Sequence, residues 1–139
     1  MSASYLRTCW AAMMAACYAL SPVAFADVLV VTDSHHPVQP IASAKVIELD
    51  LPARIEAELA TDLPTDPAAA AALVKQRLRE GGPALQRRIT AAYQNVADAW
   101  SLGITKIPAV VVDRRYIVYG DTDVAQAVTY IDAYRRERP

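Results

Sequence analysis

Thiols are nearly missing from this chain: of 139 residues only Cys9 and Cys17 are cysteine, and both lie close to the N-terminus. Methionine is confined to positions 1, 13 and 14, and the single phenylalanine is Phe25. From residue 27 onward there is therefore no disulfide staple, no thiolate metal ligand and no cysteine nucleophile. Histidine is as scarce, with only His35 and His36 in the whole sequence. An excess charge of either sign is missing too, since 14 Lys+Arg stand against 15 Asp+Glu for a net charge of −1. That balance gives no long-range positive field for sequence-independent nucleic-acid binding, and nucleic acid is not expected as a direct partner.

What is present falls into two parts. Residues 1–26 read as a secretory signal peptide: Arg7 is the positive n-region, Cys9 to Leu20 a short apolar stretch, Ser21-Pro22 a breaker, and Ala24-Phe25-Ala26 a small-x-small cleavage site. Cleavage between Ala26 and Asp27 is expected. The apolar run is shorter than the roughly 20 residues a spanning helix needs, so membrane contact is expected only through the signal before cleavage. Met14-Ala15-Ala16-Cys17 loosely resembles a lipobox, but its Met and the few apolar residues after Arg7 make lipidation at Cys17 the lesser reading. Residues 27–139 then form one domain.

Within that domain Val28 to Thr32 is a β-branched run that stops at Asp33-Ser34, which fits a buried strand. Lys45 to Leu49 alternates as a second strand, at about the minimum distance for a crossover between parallel strands. Asp50 is expected to cap a helix over Leu51 to Ala60, and Asp66-Pro67 to start an alanine-rich helix over Ala68 to Arg79 with Leu73, Val74 and Leu78 inward. Gly81-Gly82-Pro83 ends that helix and starts another. In the next one Leu85, Ile89, Tyr93, Val96 and Trp100 follow helical spacing and are expected to form the buried stripe. Ile107 to Asp113 reads as a strand opening with proline, Tyr116 to Tyr119 as its hairpin return, and Asp121 or Thr122 as the cap of a last helix with Val124, Val128 and Ile131 inward.

A strand, a crossover, a second strand, helices, an Ile-Pro strand, a hairpin and a closing helix resemble a thioredoxin-like domain, an α/β fold with a central mixed four-stranded sheet flanked by helices. The stretch Leu102 to Asp113 is similar to the superfamily segment in which a proline opens the third strand. The resemblance implies a cis peptide before Pro108 and a peptide-binding edge at Ile107-Pro108. The segments Val31 to Val38, Glu48-Leu49-Asp50, Leu63 to Pro67, Gly103 to Asp113 and Tyr116 to Asp123 further resemble, in order, a family of exported thioredoxin-like proteins of unassigned biochemical role. Those proteins are encoded with type IV secretion genes on integrating conjugative elements. Membership implies a periplasmic protein of a Gram-negative bacterium, with other envelope or pilus proteins of a conjugation apparatus as partners.

Redox members of the superfamily carry a CxxC dithiol after the first strand, where this chain has Asp33-Ser34-His35-His36. Without a thiolate, disulfide exchange has no nucleophile. The expectation is accordingly a non-enzymatic adaptor with no catalytic residue, no metal and no cofactor, binding an extended protein segment at Asp33, Ser34, His35, His36, Ile107 and Pro108. An alternative is a metal-binding or hydrolytic protein using Ser34, His35 and His36. Adjacent histidines with Asp33 fall short of the four ligands of a structural zinc site, and contiguous Ser, His and Asp rarely converge as a triad. A third reading is a structural subunit whose Tyr116, Tyr119, Tyr130 and Tyr134 supply contact area, with Arg114-Arg115 and Arg135 to Arg138 as rim charges.

Overall fold

In the computed structural model residues 26–138 are described. The expected leader's apolar run, with Cys9 and Cys17, lies outside the described residues. Strand β1 (Val28–Thr32) is buried at all five positions, and β3 (Ala109–Val112) at all four. Uninterrupted burial of short valine-rich runs is what a sheet covered on both faces requires. The two strands pair antiparallel at the centre, with Leu29 opposite Val111 and Val31 opposite Ala109. Strand β2 (Ala44–Glu48) flanks β1 in parallel, and β4 (Tyr116–Tyr119) flanks β3 antiparallel, giving the sheet order β2-β1-β3-β4.

Side chains alternate between the two faces of this mixed sheet. Val28, Val30, Val110 and Val112 pack with Val124, Ala127 and Ile131 of α3 (Val124–Glu137). Leu29, Val31, Val111 and Ile47 pack on the opposite face with Ala99 of α2 (Pro67–Ser101). The third helix, α1 (Leu51–Leu59), lies against α2. Their contact combines a small apolar seam at Ile55 and Ile89 with polar links. Arg88 donates to both Glu58 carboxylate oxygens at 2.6 and 2.8 Å, and Arg77 Nη1 donates to the carbonyls of Leu59 and Thr61 at the end of α1. Among the described residues no helix is long and apolar enough to cross a membrane.

The mixed α/β architecture and every expected element are present, with four local corrections. The stripe Leu85, Ile89, Tyr93, Val96, Trp100 is buried only in part: Leu85, Ile89 and Val96 are half-buried, Ala92 and Ala99 are fully buried, and Tyr93 is 51% and Trp100 75% exposed. Small side chains let the helix lie close to the sheet, and its inward face runs through Ile89, Ala92, Val96 and Ala99, which turns the two rings to the rim. Leu78, expected inward, is 40% exposed; on this stretch it is Arg77 that reaches the end of α1. The cap of α3 is Asp123, whose side chain accepts from Gln126 N–H at 3.1 Å, and not Asp121 or Thr122. Asp121 supports it by accepting from Asp123 N–H at 2.9 Å. Asp50 stands at the N-terminus of α1 without making a side-chain cap, because its carboxylate is engaged elsewhere. Asp66 does cap as expected, accepting from Ala69 N–H at 2.7 Å.

The expected break at Gly81-Gly82-Pro83 is present: α2 consists of two helical segments that meet at Gly82, whose φ of 53° and ψ of −151° are not helical. That backbone region is essentially closed to residues with a Cβ, even though open space surrounds the position. Gly82→Ala is therefore expected to cost about 1–3 kcal/mol through backbone strain alone. The check is thermal and urea unfolding of the variant beside wild type, and a loss below a few tenths of a kcal/mol would contradict the strained geometry.

Candidate functional site

The antiparallel register of β1 and β3 brings the residues that follow Thr32 and those that precede Ala109 to one end of the sheet. Asp33 to His36 and Ile107-Pro108 are thereby neighbours in the fold, although more than seventy positions apart. This is also the carboxyl end of the parallel pair β1 and β2, where open α/β sheets place their ligands. The peptide bond between Ile107 and Pro108 is cis, Pro108 is buried, and Ile107 is partly exposed. Gly120 N–H donates to the Pro108 carbonyl at 2.8 Å, and Leu49 N–H donates to the Thr32 carbonyl at 2.8 Å. Among the described residues neither Ile107 main-chain group takes part in the backbone hydrogen bonds that order this end.

The loop after β1 is held from below and from both sides. Thr32, the one buried polar residue of the described core, donates its hydroxyl to the His36 carbonyl at 2.5 Å. Asp33 Oδ1 accepts from the backbone N–H groups of His35 and His36, each at 2.9 Å, and lies 2.7 Å from His36 Nδ1. An aspartate that gathers the N–H groups of the next residues is the usual way such a turn is closed. Ser34 is fixed by Asp50, whose two carboxylate oxygens accept from Ser34 N–H at 3.2 Å and from its hydroxyl at 2.5 Å. Arg54 backs that carboxylate, with Nε 3.5 Å from Asp50 Oδ2, and donates through Nη2 to Glu48 at 2.5 Å.

These contacts sort the candidate residues. Asp33 orients His36, while the Ser34 hydroxyl points to Asp50 and only approaches His35 Nδ1 at 3.5 Å. The acid and the serine thus engage different histidines, and no Ser-His-Asp relay is assembled. Among the described residues no group of three or more His, Cys, Asp or Glu side chains converges as a metal site. Thr32 and Asp50, which build the loop, escape notice in the sequence, because one looks like the end of a strand and the other like a helix cap.

Beside the polar loop lies an apolar cleft of about 180 Å³ between the end of α2 and the segment entering β3, lined by Leu49, Trp100, Ile104, Thr105, Lys106 and Ile107. Leu49 ties it to the loop, since its N–H is bonded to Thr32 and the next residue is Asp50. Trp100 forms its rim and is the most exposed of the large apolar side chains described. A polar arm of hydrogen-bonding groups, an unpaired stretch of backbone and an aromatic-rimmed cleft are combined at one edge. Such groups can bond to main chain and cover apolar side chains.

The family-model comparison matches residues 25–137 to a family described as a protein of unknown function, DUF1525, and the chain belongs to that family. No curated protein and no solved structure matches it.

Both loop carboxyls are held below their ordinary value of 3.8: Asp33 first by the hydrogen bond from His36, Asp50 first by that from Ser34, each against a smaller opposing effect of desolvation. A carboxylate with a lowered folded-state pKa stabilises the fold above its unfolded value and loses that contribution as pH falls through the folded one. The contribution of this loop should therefore be complete at neutral pH and disappear progressively below about pH 4. Asp33→Asn and Asp50→Asn are each expected to lower the urea midpoint at pH 7 and to approach wild type at pH 2–3. Urea titrations across that range provide the check, and a difference from wild type that does not change with pH would contradict the assigned pairing.

Proposed function

We propose that this protein is a non-enzymatic periplasmic adaptor of a conjugative type IV secretion apparatus, holding an extended segment of another envelope or pilus protein. The observation that carries the reading is the cleft at Ile107, with Trp100 75% exposed on its rim beside a hydrogen-bonded polar loop. Large aromatic side chains are costly to leave in water and are enriched at the centres of protein interfaces. The order of elements and the sheet order β2-β1-β3-β4 support a thioredoxin-like reading of the fold. The cysteine-free domain supports a binding role over a redox one, and the sequence features of residues 1–26 support export.

The test is genetic and physical together. In-frame deletion of the gene from its host element should lower transfer frequency to a recipient, and a copy with its leader, but not one starting at Asp27, should restore it. Trp100→Ala removes an exposed ring and should leave stability within about 0.5 kcal/mol of wild type. Together with Ile107→Asp it should fail to restore transfer while retaining a cooperative unfolding transition. Full restoration by a folded Trp100→Ala, Ile107→Asp protein would rule out the cleft as the working surface. Unchanged transfer on deletion would rule out the conjugative role itself.

A further inference from the structure

The two edges of the sheet are built differently. Edge strand β2 carries Lys45 and Glu48, charged residues of the kind that discourage pairing with another strand. Edge strand β4 reads Tyr-Ile-Val-Tyr, without a charge or a proline. The bond from Gly120 N–H to the Pro108 carbonyl fixes the alternation along β4, so that Tyr116 and Val118 bond inward to β3. The N–H and C=O groups of Ile117 and Tyr119 therefore point away from the sheet. Alongside them a cleft of about 270 Å³ separates β4 from α3, and Tyr130 and Tyr134 on its far wall are 56% and 47% exposed.

From this geometry we infer that β4 pairs antiparallel with β4 of a second copy of the chain, joining two four-stranded sheets into one of eight strands. The sequence around β4 is complementary to itself about Val118. A two-fold axis there sets Val118 opposite the partner's Val118 and Ile117 opposite the partner's Tyr119, so that every outward main-chain group of β4 finds a bond. The same register sets Arg115 of each copy towards the partner's Asp121, just past the turn at Gly120, so that opposite charges lie beyond both ends of a short apolar strand. Tyr116 falls opposite the partner's Gly120, which has no side chain to obstruct it. The axis stands perpendicular to the sheet and keeps like faces together, so the two α3 helices share one side and their exposed Tyr130 and Tyr134 rings flank the seam. The second copy is thus favoured over an unrelated peptide by the register that matches charge, small residue and hydrogen bonds at once.

The experiment is sedimentation of the protein purified from cells expressing the full chain, beside two sets of variants. Wild type should show a reversible dimer in the micromolar range. Tyr119→Pro removes an outward N–H and the exposed ring without removing a hydrogen bond to β3, and should weaken self-association about 10- to 100-fold while the circular dichroism spectrum is retained. Should that variant not fold, cysteine pairing gives an independent reading in a chain with Cys9→Ser and Cys17→Ser. Val118→Cys places two thiols across a non-hydrogen-bonded pair, about 4.5 Å between Cα atoms, and should form a disulfide-linked dimer on mild oxidation. Tyr116→Cys, displaced from its own copy in this register, should not. A monomer throughout, a dimer indifferent to Tyr119→Pro, or equal crosslinking of both cysteine variants would each overturn the proposal.

Discussion

The antiparallel pairing of β1 with β3 is the contact on which the remaining structure depends. Both strands are buried throughout, and because successive side chains point to opposite faces, one ladder supplies both halves of the core. Each buried valine contributes on the order of 1.5–3 kcal/mol relative to exposure, so this one ladder holds much of the apolar burial in the domain. The helices approach through alanines, Ala99 on one face and Ala127 on the other, which keeps the layers close while larger side chains fill the flanks. The register of the same ladder decides what meets at the sheet's end, and so it also assembles the candidate site.

Much of this architecture was legible in the amino-acid order. The valine runs, the Asp-Pro helix start at Asp66, the break around Gly82 and the Tyr116 to Tyr119 return all appear where local preference and pattern place them. Patterning failed where a face had to be chosen by packing. Periodicity treats Tyr93 and Trp100 as the strongest buried candidates because they are the largest apolar residues at helical spacing. The sheet instead accepts the alanines next to them, since proximity of the helix axis contributes more contact than ring size.

The candidate site was legible only in part, for a related reason. Asp33 to His36 and Ile107-Pro108 could be named only through the thioredoxin-like resemblance, as the place after the first strand where redox relatives carry a dithiol and as the proline that opens the third strand, and the β1–β3 register does bring them together. The partners that give the loop its shape come from elsewhere. Asp50 belongs to a position where sequence favours a helix cap, and it serves a serine sixteen residues earlier in the chain instead. A carboxylate at a helix start has two competing donors, and which one it takes depends on a tertiary approach no local motif records. Polar loop and aromatic-rimmed cleft share one edge through Leu49, whose N–H bonds Thr32 and whose side chain lines the cleft.

The central ladder has a consequence in time as well as in space. Asp27 and Asp113 bond to each other across 86 positions, and every β1–β3 pair joins the start of the domain to a strand near its end. Closing so long a loop is entropically unfavourable until the contacts that compensate for it are all available. A growing chain that has not yet reached β3 has only β1, β2, α1 and α2, with neither core face complete. Neither face of the core can close until nearly the whole polypeptide exists, and products that stop before β3 lack the ladder on which both faces depend.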